Sequence, residues 1–411
     1  MAKVGKLAFL LSILVGVSML TFLDGRPQSS AVVISAVNNT AWKDTAAEVS
    51  SYADVAKQII DLAVFGAAQN RSYRRLADFT DTIGNRVSGS ANLEMAIKYM
   101  NKAMMQDGLD VHLEPVKIPH WVRGKESAQM ILPRVKNLAI LGLGSSVGTP
   151  TEGIEAEVLV VRSFEELKRR AGEVSGKIVV FNQPFVSYGE TVAYREYGAS
   201  EASKFGAVAT LIRSITPFSI NSPHTGWQDY QEGVKRIPTA CITIEDADLM
   251  WRMAQKGQRI TVRLTMAAKT LPDADSFNTV AEIKGWQHPE QVNVSNFDMV
   301  MESDMGTFSP VALQFTGSVA ARKVMEEVVK LLAPLNATKL EMHGEGTDIS
   351  PWIQAGVPGA SLHVADSRYF WFHHTEADTM SVQDPRDMDL CAALWAVVAF
   401  VVADLKDMLP R

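Results

Sequence analysis

The chain runs to 411 residues with 47% hydrophobic content and a formal net charge of −6. That length can bury a substantial core in two folded units, while the mild acidic balance and scattered basic residues give no electrostatic footprint for a nucleic-acid partner. No repeat period or low-complexity tract is visible, which argues against a solenoid or a disordered scaffold.

Lys3 and Lys6 precede an apolar run, Leu7 to Leu23, broken only by Ser12, Gly16, Ser18 and Thr21 and followed by Asp24-Gly25-Arg26-Pro27. A charged start, an apolar middle and a polar exit predict a secretory signal over residues 1–24. The alternative is an uncleaved anchor, but the run is near the lower limit for a membrane span. The polar stretch over residues 25–50 reads as a propeptide or a disordered lead. Secretion agrees with four N-x-S/T sequons, at Asn38, Asn70, Asn293 and Asn336. The only two cysteines, Cys241 and Cys391, lie in apolar segments. They read as thiols in separate cores, with one disulfide as the alternative.

Residues 51–79 carry apolar side chains at helical spacing, from Val55 through Val64, and predict one helix. A second is predicted from Asn92 to Asp107, with Leu93, Ala96, Ile97, Met100 and Met104 on one face. Val111 to Ile118 and Ala128 to Leu132 alternate as strands. Over residues 126–265 the pattern becomes short strands divided by glycine and proline: 138–141, 156–161, 177–181, 207–212 and 260–264, with one helix over 198–205. This reads as a self-contained module inserted into a larger domain. The glycine-rich run Gly142 to Gly148 is not a nucleotide loop, because Thr149-Pro150 follows where a helix should open.

Beyond the insert, 279–283 and 297–302 are predicted strands and 318–332 an amphipathic helix. Asp384-Pro385 reads as an N-cap with proline at the first helical position, opening a last helix through about Met408. Its centre, Leu390 to Ala403, is apolar all round and too short to span a bilayer, so it packs against a sheet. Asp304 follows a strand and His374 lies on a later loop, as α/β metallohydrolases place zinc ligands at the mouth of a sheet. Taken singly, such an aspartate is more often a turn cap, and such a histidine more often a surface residue.

Segments spread from residue 50 to the end carry a resemblance. They include Gly84-Asn-Arg-Val-Ser-Gly-Ser90, Ile118-Pro-His-Trp121, Ser222-Pro-His-Thr-Gly226, Asp275-Ser-Phe-Asn-Thr-Val-Ala-Glu282, Met301-Glu-Ser-Asp304 and His343-Gly-Glu-Gly-Thr-Asp348. Through them the chain resembles the two-zinc exopeptidase family that includes bacterial leucyl aminopeptidases and folate hydrolase. The resemblance implies a mixed α/β sheet covered by helices, formed by residues 51–125 and 266–411, with a protease-associated-like domain inserted over 126–265. It implies hydrolysis of small peptides with unsubstituted termini by water activated between two zincs. It also implies a secreted homodimer, with lysosome, endoplasmic reticulum and Golgi as further compartments, and no stable membrane span.

Carried over by resemblance, Asp304 matches the carboxylate ligand of one zinc and His374 the imidazole ligand of the other. His373, Asp378 and Asp348 then neighbour the site. The family also carries a Gly-His-x-Asp-Ser strand end, a later Asp-Asp-Gly turn and a Glu-Glu pair whose first member is the general base. None of these is recognisable here. Pro289-Glu290-Gln291 runs straight into Val292-Asn-Val-Ser295, where the family places two strands and two helices. At ordinary element lengths that is on the order of 55 residues missing at 291/292. One ligand for each metal is too few for catalytic zinc, and Glu302, Glu345 and Glu376 sit on other elements. The expectation is therefore weak or no zinc binding and an impaired enzyme, with a non-catalytic partner of the complete enzyme as the alternative.

Overall fold

The computed structural model describes residues 7–9, 39–283, 297–344, 346–365 and 368–411. Strand β1 (Leu7–Phe9) is followed by helices α1 (Asn39–Ser51), α2 (Ala53–Val64), α3 (Arg71–Ile83) and α4 (Ala91–Gln106). The helix expected over 51–79 is thus two, α2 and α3. Asn70 takes a left-handed φ of 59°, and a side chain on Gly66 would lie 2.9 Å from the Leu62 Cα, so the chain turns between them. Of the stretch expected as a propeptide or disordered lead, residues 39–50 lie in helix α1, whose Val49 is buried in the main core, and 25–38 lie outside the described residues. Most of the signal segment, Asn38, Asn293, Glu345 and the join at 291/292 lie outside the described residues.

The chain continues through β2 (Asp110–Val122), β3 (Glu126–Leu132), β4 (Lys136–Leu138), β5 (Ile140–Gly142), β6 (Ile154–Val161), α5 (Phe164–Arg169), β7 (Ile178–Phe181), α6 (Tyr188–Thr191) and α7 (Ala193–Ser203). Then come β8 (Ala209–Arg213), β9 (Thr239–Ile242), α8 (Ile244–Gln255), β10 (Thr261–Met266) and β11 (Lys269–Ile283). Residues 126–266 hold an eight-stranded sheet of order β4-β3-β10-β6-β7-β8-β9-β5. Strands β6, β7, β8 and β9 are mutually parallel, with α5 and α8 beside the one helix expected near 198–205. All four residues of β7 and of β9 are buried, as parallel strands covered on both faces require. Met130, Val180, Leu211 and Met250 pack on one face of the sheet, and Leu167, Val179, Phe181 and Cys241 on the other.

The last part comprises β12 (Val300–Glu302), β13 (Pro310–Thr316), α9 (Val319–Val328), a 3₁₀ segment (Val329–Leu335), β14 (Lys339–Met342), α10 (Ser350–Gln354), β15 (Gly359–Val364), α11 (Tyr369–Phe372) and α12 (Pro385–Asp404). Asp384 caps α12 as expected, accepting from the backbone N–H of Arg386 and Asp387, and Ser318 caps α9 through Ala321. Each such cap is worth about 1 kcal/mol. Helix α12 ends at Asp404 rather than Met408, and its Leu394, Val397, Val398 and Val401 are fully buried against α2 and the β13 side of the sheet. Cys391 belongs to this core and Cys241 to the other, and both thiols are free.

Outside residues 126–266 the strands form two separate sheets, β1-β11-β2 and β12-β15-β13-β14. Their sequence-adjacent members, β11 and β12, end and begin on either side of 291/292. β11 is antiparallel to β2 along nearly its whole length and carries Leu7–Phe9 on its other side. Among the described residues, β12 pairs in parallel with β15 on one side only.

Candidate metal centre

Asp304 stands two residues beyond the end of β12 and is exposed. Its electrostatic neighbours are Asp348 and Tyr369. Burial first, then the nearby Glu302 and Asp304 carboxylates, raises the Asp348 carboxyl above its ordinary range. Glu302 is committed elsewhere, since its Oε2 accepts the backbone N–H of Asp348 at 2.9 Å and of Ile349 at 3.2 Å. Three carboxylates thus gather at this end of the sheet, and one already serves the chain turn that follows β14.

His374 sits on the loop after α11, at a left-handed φ of 60°. Its Nδ1 lies 3.2 Å from the Thr225 carbonyl oxygen, and its own carbonyl accepts the Thr225 N–H at 2.9 Å. A carbonyl can only accept, so the neutral ring carries its proton on Nδ1 and leaves the Nε2 lone pair free. That is the arrangement by which a backbone carbonyl orients a metal-binding imidazole. Crowding of the ring, and then the Arg195 cation, lower its basicity well below the ordinary imidazole range. His373 stacks on it at 3.6 Å between ring centroids and is lowered further, by burial first and then by His374, Arg195 and His224.

The loop is fastened to the connection between β8 and β9 of the eight-stranded sheet rather than to β12, beyond which Asp304 stands. His224 meets the Trp371 carbonyl through Nε2 at 2.9 Å, Thr216 Oγ1 donates to the Phe370 carbonyl at 2.7 Å, and Phe218 stacks on Trp371 at 4.0 Å. Tyr188 stacks on Phe370 at 4.6 Å. His224, Thr225, Tyr188 and Arg195 received no role from sequence reasoning. The signal was present in Ser222-Pro-His-Thr-Gly226, a matched segment whose only legible property was its likeness.

The structure therefore brings Asp304 together with Glu302 and Asp348, and His374 with His373, Arg195 and Thr225. Tyr369 lies between the two groups, its ring 4.9 Å from that of His373 and near enough to Asp304 to feel its charge. Asp378 lies further along the same loop, exposed, with its carboxyl raised by desolvation. Among the described residues no group of three or more histidine, cysteine, aspartate or glutamate side chains could hold a metal ion. The side chains described do not fit a zinc centre.

Comparison with known proteins fits this geometry into a lineage. The model of peptidase family M28 matches residues 276–399. Carboxypeptidase Q from Homo sapiens is 51% identical, over 96% of this chain and 98% of that protein. Carboxypeptidase Q from Xenopus laevis is 54% identical, over 89% and 92%. The human alignment runs over 465 positions against 411 residues here, so at least 54 positions have no counterpart in this chain. A peptidase M28 precursor from Shewanella amazonensis shares the fold at a TM-score of 0.82 and 24% identity, covering 88% of this chain and 99% of that one. A zinc aminopeptidase from Bacillus subtilis does so at a TM-score of 0.57 and 16% identity, covering 81% and 94%. Half-identical to carboxypeptidase Q over nearly its whole length and matched by the family model across the join, this chain belongs to peptidase family M28, a family of zinc-dependent peptidase hydrolases.

Proposed function

We propose that this chain derives from a secreted exopeptidase that cleaves small peptides with free termini through two zincs, and that it does not itself complete the catalytic centre. The carrying observation is the shortfall of at least 54 aligned positions together with the separation of β11 and β12 into different sheets. A block missing at 291/292 supports both features at once, because two central strands removed there would leave one sheet in two parts. Catalytic zinc needs about three protein ligands and a base within reach of its water. On this reading Asp304 and His374 supply one ligand to each of two metals, and among the described residues no group of three or more ligand-type side chains completes a metal site.

The test is to assay this chain and one with the family's strand-helix-strand-helix block restored, each also carrying Asp304→Ala or His374→Ala. The expected result is stoichiometric zinc and chelator-sensitive dipeptide hydrolysis only in the restored chain, lost on either substitution. Turnover by the present chain that falls with chelator and with either substitution would overturn the proposal. A second reading, a non-catalytic partner that pairs with the complete enzyme, is favoured by the single-sided pairing of β12 among the described residues. Co-expression followed by size-exclusion chromatography would separate it from self-association of this chain as a homodimer.

A further inference from the structure

We propose that Glu126 is a positioning residue for His374, acting through the Gly142 peptide group and Thr225. That the positioned imidazole is a metal ligand rests on the reading above; the positioning itself rests on a run of hydrogen bonds that needs no metal.

Strand β5 ends the order of the eight-stranded sheet, and among the described residues it pairs with β9 alone. Just past β5, the N–H of Leu143 reaches the Thr239 carbonyl at 3.1 Å. Backbone groups alternate in direction along a strand, so the N–H and carbonyl of Gly142 face away from β9.

Side chains take the place of a further strand there. Both carboxylate oxygens of Glu126 accept the Gly142 N–H, at 2.9 and 3.1 Å. The Gly142 carbonyl accepts from Thr225 Oγ1 at 3.0 Å and from Arg123 Nε at 3.2 Å. A Cβ on residue 142 would lie 2.6 Å from Glu126 Oε2, so the carboxylate closes directly on bare backbone. Thr225 in turn holds His374 twice. Its N–H donates to the His374 carbonyl at 2.9 Å, and its own carbonyl meets the ring Nδ1 at 3.2 Å.

The Glu126 side chain is only 10% exposed, and Arg123 stands 3.9 Å away with its Nε given to the Gly142 carbonyl instead. A buried carboxylate is costly unless its oxygens are used. Here they serve an edge N–H that an apolar side chain would leave unbonded. Burial raises the Glu126 carboxyl above its ordinary range, against the pull of the Gly142 N–H and Arg123. The charge of Glu376, two residues beyond His374, adds to the rise, so the carboxylate stands close to the loop it steadies.

The experiment reads the ring and the backbone separately. Selective ¹⁵N labelling of histidine reports which ring nitrogen of His374 carries the proton, with the signal assigned by its loss in His374→Ala. Hydrogen–deuterium exchange reports the Thr225 amide. Both are measured at about pH 7.5, above the ordinary imidazole range, on the purified chain, Glu126→Ala, Glu126→Gln, Thr225→Val and the Glu126→Ala/Thr225→Val double variant. The parent ring should hold its proton on Nδ1. Glu126→Ala and Thr225→Val should each move it toward Nε2, since the partner of one nitrogen fixes the tautomer. Each should also speed Thr225 exchange by about fivefold or more, within the worth of one net hydrogen bond. Glu126→Gln, whose amide oxygen still accepts the Gly142 N–H, should stay with the parent. Residues acting through one peptide group are coupled, so the double variant should show less than the product of the single effects. A parent-like ring and amide in folded Glu126→Ala would overturn the proposal, as would multiplicative effects in the double variant or a Glu126→Gln protein that behaves like Glu126→Ala. Faster exchange throughout the eight-stranded sheet with the ring unchanged would make Glu126 a structural residue only, and overturn it too. Thermal melts establish folding, and if Glu126→Ala does not fold, Glu126→Met and Thr225→Val decide. Failure of the restored chain to bind zinc would refute the ligand reading and leave the tautomer to judge this one.

Discussion

At His374 the left-handed backbone and the Thr225 carbonyl fix both the direction of the ring and the nitrogen that keeps its lone pair. A non-glycine residue held at positive φ costs about 1–3 kcal/mol and persists only where its surroundings impose it. Here they do so through the two contacts with Thr225, between β8 and β9, whatever becomes of the metal. The sequon asparagines divide by the same kind of local detail. Asn336 is exposed, at a left-handed φ of 59° just after the 3₁₀ segment. Asn70 is half-buried at the start of α3, with its backbone N–H held by both carboxylate oxygens of buried Asp389. If the chain is secreted, peptide mapping should find Asn336 largely glycosylated and Asn70 at clearly lower occupancy. An unmodified Asn336 in protein recovered from the medium would contradict that.

Helices α3 and α4 are held at one corner by a single carboxylate. Asp107, just past the end of α4, accepts from Arg75 at 2.7 and 3.1 Å and also pairs with Arg71. The Arg75 hydrogen bond holds its carboxyl below the reference value of 3.8. A carboxyl depressed in the folded state binds its proton more readily when unfolded, so its stabilising effect is complete above pH 3.8 and is lost as pH falls through the folded value. Asp107→Asn should therefore lower the urea midpoint near neutrality and leave it closer to the parent's in strong acid. A difference between the two proteins that stays constant with pH would show that the clamp does not depend on charge.

Across the whole molecule, the described residues form one eight-stranded sheet and two smaller ones, and β12 is bonded on one side only among them. A strand bonded on one side opens more easily than an internal one, because fewer backbone bonds and buried contacts hold it. Amides of Val300 to Glu302 in β12 should exchange about tenfold or more faster than those of Leu313 to Phe315 in β13, which is flanked by β14 and β15. If the proposed reading holds, adding the family's strand-helix-strand-helix block at 291/292 should slow β12 selectively. Equal protection of β12 and β13 in the present chain, measured by hydrogen–deuterium exchange, would mean that the β12 edge is covered.

Local pattern was enough for much of this. The cap at Asp384-Pro385, the buried last helix, the amphipathic α9 and the alternating β2 follow from side-chain period and turn chemistry, which act over a few residues. The break between α2 and α3 was hidden, because apolar spacing continues through Phe65 to Asn70 while a close Gly66 and a left-handed Asn70 turn the chain. The parallel run β6 to β9 was only partly legible, since short buried strands lack an alternating signature. At the site, sequence named Asp304 and His374 as ligand types through likeness to a family. It could not show that His374 would be tied to Thr225 and its loop to His224, while Asp304 stayed with Asp348, because those partners lie far apart along the chain. The residue types were determined locally; which of them stand together was decided by how the β8–β9 connection of the eight-stranded sheet docks on the α11 loop, a matter of long-range packing that no short segment encodes.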